Sequence, residues 1–137
     1  IVRLSGKYKD MSVETNDPLA YLIGCKKNGG KEEDFSEEIM IVDGCPAALT
    51  AFNVSANGDI TPCAFLPIPI MNIFSLSVDE IIVAYQNSPV VHDLLDKNFS
   101  GKCGECKFKH KCGGCRARAF AYSGGYLGED PDCWSKF

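Results

Sequence analysis

No stretch of the 137-residue chain is long and apolar enough to span a bilayer as a helix. The longest uncharged run, Ile60 to Val78, is broken by Pro62, Pro67, Pro69 and Asn72. A spanning helix needs about 20 predominantly apolar residues, so no membrane partner is expected. The first residues, Ile1-Val2-Arg3-Leu4-Ser5-Gly6, have neither the apolar run of a signal peptide nor an initiator Met. They read as the start of a fragment or a processed chain, and without an export signal a cytoplasmic location is expected. Tandem repeats are absent. Histidine is scarce: His92 and His110 are the only two, and neither sits in a partner pattern for acid–base catalysis. Surface or capping roles are expected for both.

At about 150 residues per domain, the length suits one modest core. With 45% hydrophobic and 23% charged residues the composition is that of an ordinary globular protein rather than a disordered tail. The anomaly is sulfur. Eight cysteines make up about 6% of the chain, several times what packing alone uses. An even count admits a disulfide-stapled extracellular scaffold. Two pairs, Cys103-Gly104-Glu105-Cys106 and Cys112-Gly113-Gly114-Cys115, instead have the two-residue spacing of metal knuckles or redox dithiols.

Charge divides unevenly, at -8 over residues 1–96, +6 over 97–118 and -2 over 119–137. Lys26 to Glu38, with Gly29-Gly30 and five acidic residues, reads as a solvated linker and places a boundary between residues 1–38 and 39–137. The first part has a weak strand signal at Met11 to Thr15 and an apolar patch at Leu19 to Ile23, too little for a core of its own. In the second, Leu49 to Val54 and Ile60 to Cys63 flank Asn57-Gly58, a two-residue hairpin turn that would bring Cys45 and Cys63 to one end. Ser77 and Glu80 spell a capping box for a helix to about Tyr85, with Ile81, Ile82 and Tyr85 as its apolar face. Ser88-Pro89 starts another helix with Val91, Leu94 and Leu95 as its buried stripe. Beyond Phe99 only Arg116 to Tyr122 has clear helical propensity. The fold class is therefore α+β: a small β-hairpin, short helices and a cysteine-rich loop region.

Within that region Cys103-x2-Cys106-x5-Cys112-x2-Cys115 is followed by Cys133 and preceded by Cys45 and Cys63. Four thiolates in thirteen residues repel one another unless a cation or cluster neutralises them. Zinc and iron–sulfur clusters both take four cysteines. Five residues separate the two pairs, against about 15 to 20 in the common zinc ribbon. Gly104, Gly113 and Gly114 let the backbone approach sulfide and aim N–H groups at sulfur. Lys102, Lys107, Lys109, Lys111, Arg116 and Arg118 offer positive charge to an anionic cluster. With Phe108 interleaved they also resemble a nucleic-acid patch, but the chain is acidic overall and no base-reading module is present, so no nucleic-acid partner is expected. Asp130 and Asp132 read as turn formers before Cys133. Tyr122, Tyr126 and Trp134 read as packing that shields a metal centre from water.

The order Cys45, Gly58, Cys63, the Cys103 to Cys115 array and Cys133 resembles the seven-cysteine signature of SPASM domains, the C-terminal extensions of many radical SAM enzymes. Accessory runs agree: Ile60-Thr61-Pro62-Cys63, Cys112-Gly113-Gly114-Cys115-Arg116-Ala117-Arg118-Ala119 and Gly128-Glu129-Asp130-Pro131-Asp132-Cys133. They are most similar to the enzymes of alternative haem and haem d1 biosynthesis, which modify porphyrin side chains. The resemblance implies two auxiliary 4Fe-4S clusters, the first on Cys45, Cys63 and Cys115, the second on Cys103, Cys106, Cys112 and Cys133. For the first cluster's fourth ligand it leaves open Cys25, an open iron or a substrate atom. Many family members have three residues between the last two cysteines of the array, where Cys112 and Cys115 have two.

The C-x3-C-x2-C loop that binds S-adenosylmethionine is absent from the chain. The resemblance therefore makes residues 1–38 the bridge to, or the end of, a missing radical SAM barrel, in which alone S-adenosylmethionine would bind, and 39–137 the auxiliary cluster domain. The domain would be inactive by itself. Its expected partners are that barrel, a porphyrin substrate and an external electron acceptor, and its task is to relay electrons and position substrate. Two alternatives stand beside it: the same domain on a peptide-modifying maturase, and a structural zinc module for partner binding. Isolation in air is expected to strip clusters, leaving the sites empty or letting zinc occupy the same thiolates.

Overall fold

The computed structural model describes residues 10, 17–19 and 44–134. The expectations for Met11 to Thr15, Cys25 and the Lys26 to Glu38 linker lie outside the described residues; of the Leu19 to Ile23 patch only Leu19 falls within them, and it is buried. The described residues form a three-stranded antiparallel sheet and four short α-helices, an α+β arrangement. None of these helices is long and apolar enough to cross a membrane.

The hairpin joins β1 (Asn53–Val54) to β2 (Asp59–Thr61), with Asn53 opposite Thr61 and Val54 opposite Ile60. Its turn differs from the two-residue expectation. Ser55 N–H donates to the Asp59 carbonyl and Gly58 N–H to that of Ser55, both at 2.9 Å, so the loop is Ala56-Asn57-Gly58. Gly58 has φ +83°, while Asn57 stays out of the left-handed region. That is the three-residue hairpin with a left-handed glycine in its last position, and it relieves Asn57 of a positive φ. β3 (Met71–Asn72) adds to the other side of β2. Two residues long and preceded by Pro67 and Pro69, it has no alternation by which sequence could announce it. Asn72 secures it, donating to Asp59 Oδ1 at 2.9 Å and the Asn57 carbonyl at 2.8 Å, and its Oδ1 accepts from Phe74 N–H at the start of a 3-10 turn.

The helix α1 (Val78–Gln86) opens on the expected capping box: Ser77 N–H donates to Glu80 Oε2 at 2.8 Å and Glu80 N–H to Ser77 Oγ at 3.4 Å. Tyr85 anchors it, its hydroxyl donating to the Ala48 carbonyl at 2.8 Å. Ile82 is exposed, contrary to expectation, because it is turned about 100° from half-buried Ile81. The next helix, α2 (Pro89–Leu95), begins at Pro89 and buries Val91 and Leu94, three residues apart; Leu95, one position on, faces solvent. The short α3 (Gly101–Glu105) was not expected, since two of its five residues are glycines of low helix propensity. Packing overrides propensity there: a Cβ on Gly104 would lie 2.2 Å from the Phe99 carbonyl oxygen. The last helix, α4 (Arg116–Ser123), ends on Gly124 at φ +77°, whose N–H caps the Phe120 carbonyl.

Two apolar clusters hold these elements. The larger centres on Ala47, Ala48, Leu66, Val91 and Leu94, with Cys45 and Cys63 packed against it. The smaller is Leu19, Phe108 and Cys112, with Cys106 and Cys133 alongside. Sequence neighbours Phe65 and Leu66 test this division, because Phe65 is 84% exposed and Leu66 fully buried. Leu66→Ala is expected to lower unfolding stability by about 2–5 kcal/mol, and Phe65→Ala by less than about 0.5 kcal/mol, both read by chemical denaturation.

Candidate metal centre

Cys45 lies on the loop before β1, Cys63 just after β2 and Cys115 at the N-cap of α4. The hairpin and α4 bring these three together. Burial pushes the Cys45 thiol up; the backbone N–H groups of Arg116 and Ala47 point at its sulfur and oppose the rise, while the sulfurs of Cys115 and Cys63 add to it.

Cys103, Cys106, Cys112 and Cys133 line one cavity with Leu19 and Phe108, Gly113 and Gly114, and Lys102 and Lys109. Cys103 is in α3, Cys106 caps its C-terminus, and successive turns from Cys106 to Cys112 return the chain to the cavity. Burial drives the Cys112 thiol up to about 11; Gly114 N–H opposes this and the sulfurs of Cys133, Cys103 and Cys106 reinforce it. Backbone donors face the sulfurs: Phe108 N–H to Cys106 and Asp130 N–H to Cys103 at 3.4 Å, Gly114 N–H to Cys112 at 3.5 Å. Gly114 has φ +63°, and a Cβ there would stand 2.7 Å from that of Asp130 and 3.2 Å from Cys103 Sγ. At Gly44 a Cβ would strike the Cys112 carbonyl oxygen at 2.1 Å. That approach sets the Cys45 loop directly against the second group's backbone.

Asp130 does more than shape a turn. It is buried, its Oδ2 accepts from Cys115 N–H and from Arg118 at 2.7 Å, and its Oδ1 accepts from Asp132 N–H. Arg118 also holds Asp17 at 2.8 Å. The basic block is thus not one solvated face. Arg118 is committed to carboxylates, Lys102 pairs with Glu129, Lys107 lies over the Phe108 ring, and Arg116 is buried. The signal for Asp130 was present as an acid three residues before Cys133 and an arginine three after Cys115, but nothing in the sequence pairs them. Tyr126 packs on the larger cluster and donates to Asp93, whereas Tyr122 and Trp134 are exposed and shield little. His92 and His110 are exposed.

All seven described cysteines are free thiols. Among the described residues no three His, Cys, Asp or Glu side chains close on one point as a single metal ion requires. The donor set nevertheless fits a sulfur-ligated cluster: four thiols on one cavity wall, backbone N–H groups aimed at three of them, glycines where a Cβ would collide, and apolar cover.

Comparison with known proteins accords with that chemistry. A family model described as SPASM, iron-sulfur cluster-binding domain, matches residues 45–116. The chain belongs to the SPASM family. The SPASM match begins at Cys45 and ends one residue beyond Cys115, so Cys133 follows it. Similar proteins include the AdoMet-dependent heme synthases of Methanosarcina barkeri, 41% identical, and of Oleidesulfovibrio alaskensis and Nitratidesulfovibrio vulgaris, each 32% identical, all over 91 residues. Those residues are 66% of this chain and 25%, 23% and 24% of the relatives, so this SPASM chain spans about a quarter of their length. No solved structure matches.

Burial raises the Asp130 carboxyl, but Arg118 and the N–H groups of Cys115 and Asp132 outweigh it and hold the group below the usual carboxylate range. A lowered folded value contributes stability above the unfolded pKa that is lost as pH falls through the folded one. Asp130→Asn is therefore expected to cost about 1.5–3 kcal/mol at neutral pH. The difference from the parent should shrink as denaturation is repeated at falling pH below 3.8; a difference independent of pH would show that the ionised carboxylate is not what stabilises the loop.

Proposed function

We propose that this SPASM domain is the auxiliary cluster domain of a radical SAM oxidoreductase of haem biosynthesis. In this assignment Cys45, Cys63 and Cys115 hold one 4Fe-4S cluster, Cys103, Cys106, Cys112 and Cys133 a second, and residues 1–38 join the domain to a radical SAM barrel. The observation that carries it is the lining of one cavity by four thiols within a chain of this family. The tetrapyrrole assignment is supported by the relatives named AdoMet-dependent heme synthase. When bound, such clusters supply one-electron transfer, here between a substrate radical and an external acceptor.

The chain's own groups have definable tasks. Phe108 and Leu19 give apolar cover to the cavity of the second cysteine group, and desolvation there strengthens N–H···S interactions. Phe108, Gly114 and Asp130 donate their N–H groups to sulfur, which stabilises negative charge on the ligands. Cys115, one residue from the Gly113-Gly114 turn, is held toward the first group by Asp130. For the first group's fourth position Cys25, an open iron or a substrate atom remain the candidates.

Iron, acid-labile sulfide and zinc per chain after anaerobic reconstitution test the assignment. About eight irons and eight sulfides are expected for two 4Fe-4S clusters. Cys106→Ser, which removes a thiolate of the second set, should lower both to about four or fewer. One or two tightly held zincs without sulfide would overturn the assignment and favour a structural zinc module.

A further inference from the structure

Among the described residues Arg116 is the largest fully buried side chain, at 1% exposure. Its direct partners at the Nη1 end are neutral: Nη1 donates to the Gly128 and Tyr126 carbonyls at 2.6 and 3.1 Å, and the guanidinium lies 4.1 Å over the Phe99 ring. Among the described residues no carboxylate pairs with it, whereas Arg118, two residues on, engages Asp17, Asp130 and Asp132. Arginine stays protonated, and a buried cation without a counter-charge is costly. The acidic group within its reach is a thiol: Nη2 lies 3.5 Å from Cys103 Sγ. The same residue's backbone N–H points at the Cys45 sulfur, in the other group.

We propose that Arg116 is the counter-ion of the second cysteine group, and that its guanidinium, set against Cys103, raises the reduction potential of the cluster held by Cys103, Cys106, Cys112 and Cys133. The inference rests on the two-cluster assignment above. Its physical basis is that reduction adds an electron to an already anionic centre. A fixed positive charge at a ligand sulfur favours that state in a site with little water to screen it. The effect is unequal, because the Cys45 group meets only the backbone N–H, which side-chain substitution leaves in place. Arg116 is thus a positioning and tuning residue rather than a ligand.

The test compares Arg116→Gln and Arg116→Lys with the parent in the full reconstituted chain, by redox titration monitored by electron paramagnetic resonance. In Arg116→Gln one cluster's midpoint should fall by about 59 mV or more, a tenfold change in its oxidised-to-reduced ratio, while the other moves less. Arg116→Lys, which keeps the charge but not the planar fork, should fall in between. A merely structural Arg116 would reduce cluster content and leave the midpoints of assembled clusters unchanged, which overturns the proposal. Should Arg116→Gln not assemble, Arg116→Met serves as the neutral variant: both midpoints at parental values overturn the proposal, and a single lowered midpoint supports it. Failure of the parent chain itself to take up iron and sulfide removes the two-cluster assignment and this inference together. Clusters present with equal midpoints in all three proteins remove the inference alone.

Discussion

Gathering buried and half-buried thiols at close quarters is the constraint on which the rest of this structure depends. Burial and the neighbouring sulfurs of Cys133, Cys103 and Cys106 push the Cys112 thiol up to about 11, even against the N–H of Gly114. The same causes raise Cys45. Such thiols become thiolates only when positive charge arrives to meet them, so in the proposed assignment the thiols and the cluster they would hold are energetically inseparable. The surrounding chain supplies what partial compensation a protein can: backbone N–H groups at Cys103, Cys106 and Cys112, and a guanidinium at Cys103. Supplying N–H donors requires the backbone to come close, and closeness requires residues without Cβ. Gly114 is where that demand is sharpest, with Asp130 and Cys103 both inside the space a side chain would take.

The two apolar clusters divide along the same line as the cysteines. One packs against Cys45 and Cys63, the other contains Cys112 and touches Cys106 and Cys133. Neither is extensive, and the strands are two or three residues long, below the length at which a sheet stands alone in water. Much of the chain from Phe99 to Cys133 is turn and loop, where ordering each residue costs about 1–2 kcal/mol of backbone entropy with little apolar burial in return. Metal or cluster ligation is the remaining large source of favourable free energy for such a segment.

What sequence could and could not foresee follows from the range of each interaction. The capping box of Ser77 and Glu80 and the Ser88-Pro89 helix start are fixed by groups a few residues apart, and each appears where local chemistry puts it. Spacing alone also suggested that Cys45 and Cys63 come together, because a hairpin is a local structure. The turn itself came out one residue longer, since a left-handed Gly58 following Asn57 avoids a second positive φ. Strand β3 exists through a distant partner, the edge of β2, and helix α3 forms against weak local propensity, with Gly104 set against the Phe99 carbonyl five residues before it. Arg116 and Arg118 are indistinguishable in a charge count. Only the fold separates the one that is buried against a ring and a sulfur from the one that holds three carboxylates.

The segment from Tyr126 to Cys133 shows how one short loop can serve both groups. Its carbonyls at Tyr126 and Gly128 fix the Arg116 guanidinium, its Leu127 carbonyl accepts from Ser100 N–H ahead of α3, and Glu129 receives the Lys102 N–H. At Asp130 the backbone N–H meets Cys103 Sγ while the carboxylate holds Cys115 N–H, so a single residue touches one member of each set. Tyr126 tethers the loop's other end to α2 through Asp93; burial, then that hydrogen bond and the Asp93 charge, push its hydroxyl up to about 12. A displacement of this loop cannot therefore relax one group without disturbing the other. Two cysteine groups whose members interleave in sequence are, in three dimensions, a single mechanical and electrostatic unit.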